Sequence, residues 1–348
     1  MFFSSHSWRA KALFAGPLAA ALLALAAPSA LADVFPSKPV RIVVPYATGG
    51  ASDALARQIA AALQVLWGKG VVVDNKAGAS GNIGSMDVVR APADGYTLLM
   101  QNSTMVINQA VTSKKNYDPL TDLTPIMLLG LTPTAVVASA SANVGSVKDL
   151  IAAGKASAKG LNYGSCGIGT PQHFIMELLK QKTGLQAEHV SYKGCSPALA
   201  DVVAGQIPYA ALSANMVVPY VQAGKLRVIG LSSSARYSQL PDVPTFEEQG
   251  LKPFDFSVWY ALMGPAKMPP DIVQKIRSDV EKLMADPGMR KRLAEIGIEE
   301  YKGGPEEVVK VITLDQARYQ QVAKAAGIKP ESGPEFFPAV PRSCQSSR

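Results

Sequence analysis

Cysteine and histidine are scarce in this 348-residue chain, which has three of each. The cysteines form no CxxC pair, so neither a zinc motif nor a redox motif is indicated. The chain also lacks a G-x-S-x-G elbow, an HExxH motif, a Walker A loop and a G-x-G-x-x-G fingerprint. These absences argue against the commonest hydrolases, metalloproteases and nucleotide-dependent enzymes. We therefore expect no metal, no cofactor and no catalytic residue.

Charge is sparse and evenly spread along the chain. Lys and Arg exceed Asp and Glu by 34 to 27, which gives a formal net charge of +7, yet no basic run is longer than three residues. A nucleic-acid surface needs clustered cations, so no nucleic-acid partner is expected. The mild positive field would still favour encounter with small anions.

The amino-terminal segment has the pattern of a secretory signal peptide over residues 1–32. A basic start that includes Arg9 and Lys11 precedes an apolar stretch over residues 12–27, and Ala30-Leu31-Ala32 is a small-x-small cleavage site. Cleavage there would lower the net charge from +7 to +5. No later stretch reaches 18 apolar residues, so no membrane span is expected. We predict an exported protein, located in the periplasm if the source is Gram-negative.

Beyond the leader, short apolar runs alternate with segments of helical periodicity. This alternation predicts an α/β protein whose sheets are mostly parallel and flanked by helices. The alternation occurs twice, which indicates two lobes that face each other across a cleft. The predicted division is a first lobe over 33–138, a second lobe over 139–255, a return to the first lobe with C-terminal helices over 256–330, and a disordered tail over 331–348.

The first strand-to-helix junction is the most informative segment. Arg41–Val44 fits a buried strand, and residues from Asp53 onward have helical spacing. The loop between them leaves N–H groups unpaired at the positive end of a helix dipole, which suits an anion. The alternative is a tight turn that packs on itself, with Asp53 serving only the helix start. The candidate ligand residues in this loop are Tyr46, Thr48, Gly49, Gly50, Ser52 and Asp53.

The same arrangement recurs in the second half of the chain. A glycine-rich loop again follows a strand and opens a helix, and its candidate ligand residues are Ser165, Cys166, Gly167, Gly169, Thr170 and His173. Asn102, Ser103 and Lys193 follow other strand ends and are further candidates. For Asn102 and Ser103 plain turn chemistry is the alternative, for Lys193 a solvated side chain, and for His173 a structural role. Trp259 and Tyr260 could form an aromatic wall of the site or pack in the core.

Cys166 and Cys195 fall in two loops at the ends of strands that can be neighbours. In an oxidising compartment they could pair as a disulfide. The alternative is that both are small residues that fill tight turns. Cys344 would then remain as an odd thiol in the tail.

Several motifs, in order and at family spacing, resemble the Bug-type periplasmic solute-binding receptors of tripartite tricarboxylate transporters. The similarity extends over about residues 34 to 329. The matching stretches are Pro39–Asp53 (PVRIVVPYATGGASD), Val73–Gly84 (VDNKAGASGNIG), Ala93–Leu98, Gly164–His173, Tyr192–Leu199, Ala223–Arg227 and Leu240–Thr245.

The resemblance implies a two-lobed Venus-flytrap fold, similar to type II periplasmic binding proteins. It implies a small organic acid held between the lobes by amides and hydroxyls and delivered to integral membrane subunits of the transporter. The protein would then be non-enzymatic, and we expect a monomer. The family more often has a small residue other than cysteine at Cys166 and Cys195. Two other functions stay open: a ligand sensor for a signalling kinase, and an exported hydrolase or isomerase that uses His173.

Overall fold

The computed structural model describes Met1, residues 35–112 and residues 115–328. Apart from Met1, the predicted signal peptide lies outside the described residues, as does the predicted tail with Cys344. The helices are α1 (Ala51–Trp67), α2 (Asn82–Val89), α3 (Thr104–Val111), α4 (Val147–Ala156), α5 (Pro171–Thr183), α6 (Cys195–Val203), α7 (Ala214–Gln222), α8 (Pro270–Ala285), α9 (Pro287–Glu295) and α10 (Pro305–Ala325). The strands are β1 (Val40–Val44), β2 (Val71–Asn75), β3 (Thr97–Asn102), β4 (Leu123–Thr132), β5 (Thr134–Ser139), β6 (Leu161–Ser165), β7 (Ala187–Ser191), β8 (Tyr209–Ser213), β9 (Leu226–Leu231), β10 (Val258–Pro265) and β11 (Glu299–Gly303).

The strands form two sheets. The first has the order β11-β4-β10-β3-β1-β2, and the second has the order β7-β6-β8-β5-β9. The prediction of two sheets flanked by helices is confirmed, but the prediction that they are mostly parallel is wrong. Only the pairs β1–β2, β1–β3, β6–β7 and β6–β8 are parallel, and the remaining pairs are antiparallel. Strand direction was misjudged because β4, β5, β9 and β10 belong to segments that cross between the sheets.

Strand β5 lies in the second sheet, although the predicted first lobe extended to residue 138. It pairs with β8 and β9 from Thr134 onward. β4 and β5 are both apolar and only residue 133 separates them, so hydrophobicity alone does not show that the chain changes sheets there. Strands β10 and β11 return to the first sheet.

Two crossings of the chain join the sheets. The first runs through residue 133, between the end of β4 and the start of β5, and the second covers residues 232–257. β10 starts beside the carboxyl ends of β4 and β3, and β5 starts beside the carboxyl end of β8. The carboxyl ends of β1, β3, β6 and β8 therefore lie on the edges at which the two lobes meet, where open sheets of this kind bind ligands.

Helix α10 extends the core from one lobe to the other. It packs against α3 on the first-lobe side and against α5 of the second lobe. Tyr319 meets Phe174 and Phe256 edge-on, with ring centroids 5.2 and 5.7 Å apart. Trp259 and Tyr260 are 6% and 4% exposed within β10, so both pack in the core, the second of the two alternatives.

Asp315 is a buried carboxyl in this core. Its Oδ2 accepts a hydrogen bond of 2.8 Å from Trp259 Nε1, and its Oδ1 lies 3.7 Å from the guanidinium of Arg318. Burial raises the pKa of Asp315 to about 6, although both contacts favour the charged form. The folded protein therefore binds this proton more tightly than the unfolded chain does.

The raised pKa predicts a specific pH dependence of stability. Asp315 favours folding below about pH 4 and loses that contribution as the pH rises through about 6. Asp315→Asn removes this titration and keeps an oxygen for Trp259. We expect the free energy of unfolding of the variant to gain about 2 kcal/mol relative to wild type as the pH rises from about 4 to about 8, measured by urea denaturation. The exposed Asp242→Asn is the control, and parallel pH curves for Asp315→Asn and wild type would contradict the assignment.

Candidate functional site

The first-lobe half of the site is the amino end of α1. Gly50 occupies its N-cap position in an extended conformation, and no side chain in the described part of the protein caps the helix. The N–H groups of Ala51 and Ser52, in the first turn, accordingly have no acceptor within the helix. The preceding residues, Thr48, Gly49 and Gly50, are exposed. This end of the helix thus keeps donors available beside an accessible loop.

Asp53 is engaged within the loop itself. Its Oδ2 accepts a hydrogen bond of 2.9 Å from the N–H of Gly49, and its Oδ1 lies 3.0 Å from the Arg57 guanidinium. Burial opposes its ionisation, but hydrogen bonds from Arg57 and Gly49 outweigh burial and lower the pKa of Asp53. The carboxylate therefore stabilises the start of the helix, and its charge is balanced by Arg57.

Tyr46, Ser52 and Asn102 bind one another. The Tyr46 hydroxyl lies 2.9 Å from Asn102 Oδ1 and 2.5 Å from Gln101 Oε1, and Asn102 Nδ2 donates to Ser52 Oγ at 3.0 Å. Asn102 Oδ1 also accepts from the N–H of Thr104. Burial raises the pKa of Tyr46 well above its usual value, so the hydroxyl keeps its proton and donates. This Tyr46–Asn102–Ser52 network holds the loop after β1 against the end of β3.

Ser103 is fully buried at the start of α3. Its Oγ has no hydrogen-bond partner among the described residues. The polar residues Gln101–Thr104 indicated the end of the strand in the sequence, but they did not indicate that a helix begins at Thr104.

The second-lobe loop uses most of its donors internally. Thr170 caps α5 by accepting from the N–H of His173 at 3.4 Å, and its hydroxyl donates to the carbonyl of Gly167 at 2.7 Å. The N–H of Gly167 donates to Ser165 Oγ, and the N–H of Gly169 donates to His173 Nδ1 at 3.3 Å. The second-lobe loop is therefore a tight turn that packs on itself, which was the alternative to an anion-binding loop. The first-lobe loop differs, because it leaves the amino end of its helix open.

Two histidines stack beneath this loop. The rings of His173 and His189 lie 4.1 Å apart, and His189 Nε2 lies 2.6 Å from Ser165 Oγ. Burial lowers the pKa of both, that of His189 to about 4, so both are neutral near pH 7. Because His173 Nδ1 accepts from Gly169, its proton resides on Nε2, which is a donor.

These histidines do not form a catalytic triad in the described part of the chain. No carboxylate there is hydrogen-bonded to the ring of His173 or His189, so nothing orients either ring as a general base. His189 itself was not predicted as a site residue. Its contact with Ser165 depends on the parallel pairing of β6 with β7, which the sequence does not specify.

A disulfide joins Cys166 to Cys195 and so connects two loops of the second lobe. Lys193 is exposed beside it. The end of β8 is tied in as well, because Gln172 Nε2 donates to Ser213 Oγ at 3.2 Å. The segment after β8 was not predicted as a helix, but from Ala214 it forms the start of α7. The apolar character of this segment is equally typical of a short helix.

The comparisons with known proteins decide the family. The model of the tripartite tricarboxylate transporter family receptor, TctC, matches residues 55–328. The chain belongs to this receptor family. It is 33% identical to a UPF0065 protein in the tcbD-tcbE intergenic region of Pseudomonas sp. (strain P51), over 83% of this chain and 87% of the relative. It is 30% identical to BugT of Bordetella pertussis, over 86% and 92%.

Solved structures agree with this receptor fold. "R. palustris Rpa4515 with adipate" has a TM-score of 0.76 at 32% identity and covers 85% of this chain and 100% of its own. MatC from Rhodopseudomonas palustris with bound malate has a TM-score of 0.71 at 28% identity, with coverage of 83% and 99%. The two-lobed periplasmic-binding-protein fold is thereby confirmed for this receptor. No helix within the described residues is long and apolar enough to span a membrane.

The Tyr46–Asn102–Ser52 network generates a stability prediction. Asn102→Ala removes hydrogen bonds to Tyr46, Ser52 and the Thr104 amide, each worth about 1 kcal/mol. We expect the free energy of unfolding to fall by about 2–3 kcal/mol in urea denaturation. Asn116 is exposed, so Asn116→Ala is a matched control and should change stability by less than about 0.5 kcal/mol. Equal effects of the two variants would show that the network does not hold the loop.

Proposed function

We propose that this receptor captures a small organic acid between its lobes in the periplasm and delivers it to the membrane subunits of a tripartite tricarboxylate transporter. Family membership supports the receptor role. The ligands named for the related structures, adipate and malate, are both carboxylates and support the ligand class. The observation that carries the proposal for this chain is the uncapped amino end of α1.

A carboxylate ligand loses hydrogen bonds to water on entering the cleft, and donors of the protein must replace them. The N–H groups of Ala51 and Ser52 can donate charge-assisted hydrogen bonds, each worth about 1.5–3 kcal/mol. The positive end of the α1 dipole adds to this attraction. The Asp53 carboxylate would repel the ligand, but Arg57 balances its charge at 3.0 Å. The loop therefore suits an anion although no free cation lies in it.

The second lobe would supply the opposing contacts. The Nε2–H of His173 is a donor without a partner among the described residues, and Lys193 adds a positive charge on the same lobe. Thr48 and Gly50 would contribute further amides and a hydroxyl. Tyr46, Gly49, Asp53 and Asn102 would act by holding the first-lobe loop in shape, and Thr170 would hold the second-lobe loop. Contacts that form only when both lobes touch the ligand favour the closed state over the open one.

The remaining parts of the proposal concern export, assembly and chemistry. The predicted signal peptide over residues 1–32 would direct export and be cleaved after residue 32. The receptor would act as a monomer. It would act without enzymatic turnover, since no carboxylate among the described residues orients the Ser165–His189–His173 group. An exported hydrolase or isomerase would need a base in this group, and a signalling sensor would use the same cleft.

The role of α1 can be tested by removing one donor without disturbing the helix. Proline is well tolerated at the first helical position and has no N–H, and Gly50, at φ −79° and ψ 169°, already has the extended conformation required before proline. We expect Ala51→Pro to keep its melting temperature and to weaken binding of the acid roughly 10- to 100-fold in calorimetry.

Ala51→Gly is the matched control, because it changes the side chain and keeps the N–H. The acid for the titration would be chosen by thermal shift from mono-, di- and tricarboxylates, aromatic acids and acidic amino acids. At 100 times Kd, a ligand should stabilise the wild-type protein by about 2.7 kcal/mol. Absence of stabilisation by every acid, or unchanged affinity of Ala51→Pro, would contradict the proposal.

A further inference from the structure

We infer that the Cys166–Cys195 disulfide is a positioning element of the ligand site: it fixes the second-lobe loop around residues 165–173 in the conformation that meets the ligand. This inference rests on the proposed function and adds to it. The disulfide lies at the margin of the second-lobe core, since both cysteines are partly buried and pack against its apolar cluster. It lies where the two loops of the second lobe approach each other.

The disulfide closes one β-α-β unit at its ligand-facing end. Cys166 directly follows β6, and Cys195 is the first residue of α6, with 29 residues of sequence separation between them. The segment between them contains α5 and β7. Because β6 and β7 are parallel neighbours, the bond connects the carboxyl ends of adjacent strands, where both loops leave the sheet.

Few other contacts hold these two loops together. The N–H of Tyr192 donates to the carbonyl of Ser165 at 3.3 Å, and the N–H of Gly194 donates to the carbonyl of Cys166 at 3.1 Å. Gly194 is the N-cap of α6, and no side chain caps that helix. The disulfide thus joins the self-packed turn covalently to a helix end that has no side-chain cap among the described residues.

The backbone of this turn can change conformation easily when no contact holds it, because two of its residues are glycines. Gly167 and Gly169 both have positive φ, 132° and 74°, a conformation that glycine adopts at little cost and leaves as readily. An added Cβ on Gly167 would lie 3.1 Å from the Tyr192 carbonyl oxygen, so the turn is seated directly against the loop that carries Cys195. A turn fixed before binding loses less conformational entropy when the ligand arrives.

The positions of the loop donors depend on this turn. His173 receives the Gly169 N–H on Nδ1, and Thr170 bonds the carbonyl of Gly167. If the turn moves, His173 loses the partner that sets its tautomer, and its Nε2–H no longer points in a fixed direction. Reduction of the disulfide would therefore weaken binding by loosening the second-lobe contacts while the first-lobe loop stays intact.

The experiment compares the oxidised protein, the protein reduced with a phosphine, and Cys166→Ser/Cys195→Ser. Amide hydrogen exchange is measured without ligand, and the dissociation rate is measured for the acid that gives the largest thermal shift. On reduction we expect amides of residues 167–173 to exchange about tenfold faster, with residues 46–53 unchanged. We expect the acid to dissociate about tenfold faster and reoxidation to restore the slow rate.

Ser146→Ala controls for a general loss of stability, because it removes the side-chain cap of α4 in the same lobe, away from the ligand loops. It should leave both the exchange of residues 167–173 and the dissociation rate unchanged. Equal exchange and dissociation in the oxidised and reduced proteins, or faster exchange throughout the chain, would overturn the inference. If no acid binds the oxidised protein, the proposed function fails, and the exchange data alone still decide whether the disulfide fixes the turn.

Discussion

Ligand capture by this receptor depends on one constraint: the amino end of α1 must stay uncapped and be held in place. Among the described residues no side chain caps this helix, so the fold keeps its amino end in position by other means. Asp53 bonds back to Gly49, and Asn102 reaches from the end of β3 to Ser52. These polar side chains thus shape the loop, and backbone groups remain available for the proposed ligand. An arrangement of neutral donors can bind an anion without a permanent positive charge that would attract unrelated anions.

The two lobes differ in how they present the helix amino end that follows the loop. In the first lobe the helix amino end is open, whereas in the second lobe Thr170 caps α5 and the turn bonds to itself. A disulfide and a stacked histidine pair reinforce the second-lobe turn. This asymmetry suggests that the first lobe supplies the stronger anion contact and that the second lobe supplies fixed, weaker donors that select the closed state.

Much of the fold could be predicted because hydrophobic periodicity is a local signal. The strand predicted over Arg41–Val44 corresponds to β1 (Val40–Val44), and the helix predicted from Asp53 onward corresponds to α1 (Ala51–Trp67). Strand direction and sheet membership could not be predicted, because they depend on pairing across the chain: β5 looks like its neighbour β4 but pairs in the other sheet. Helices α3, α7 and α9 were missed because they are short, and α7 contains a proline.

For the site, sequence reasoning located the loops but not the use made of each side chain. Tyr46 and Asn102 were expected at the ligand, yet their polar atoms bond to each other and to the loop. His189 lies beside Ser165 only because β6 and β7 pair in parallel, which the sequence does not specify.

The most direct test of the central claim is an amide ¹⁵N–¹H NMR titration of the full receptor with the acid that stabilises it most. The account predicts that the largest shifts occur at the amides of Ala51 and Ser52, with smaller ones around His173. Large shifts confined to other surfaces, with Ala51 and Ser52 unmoved, would contradict it.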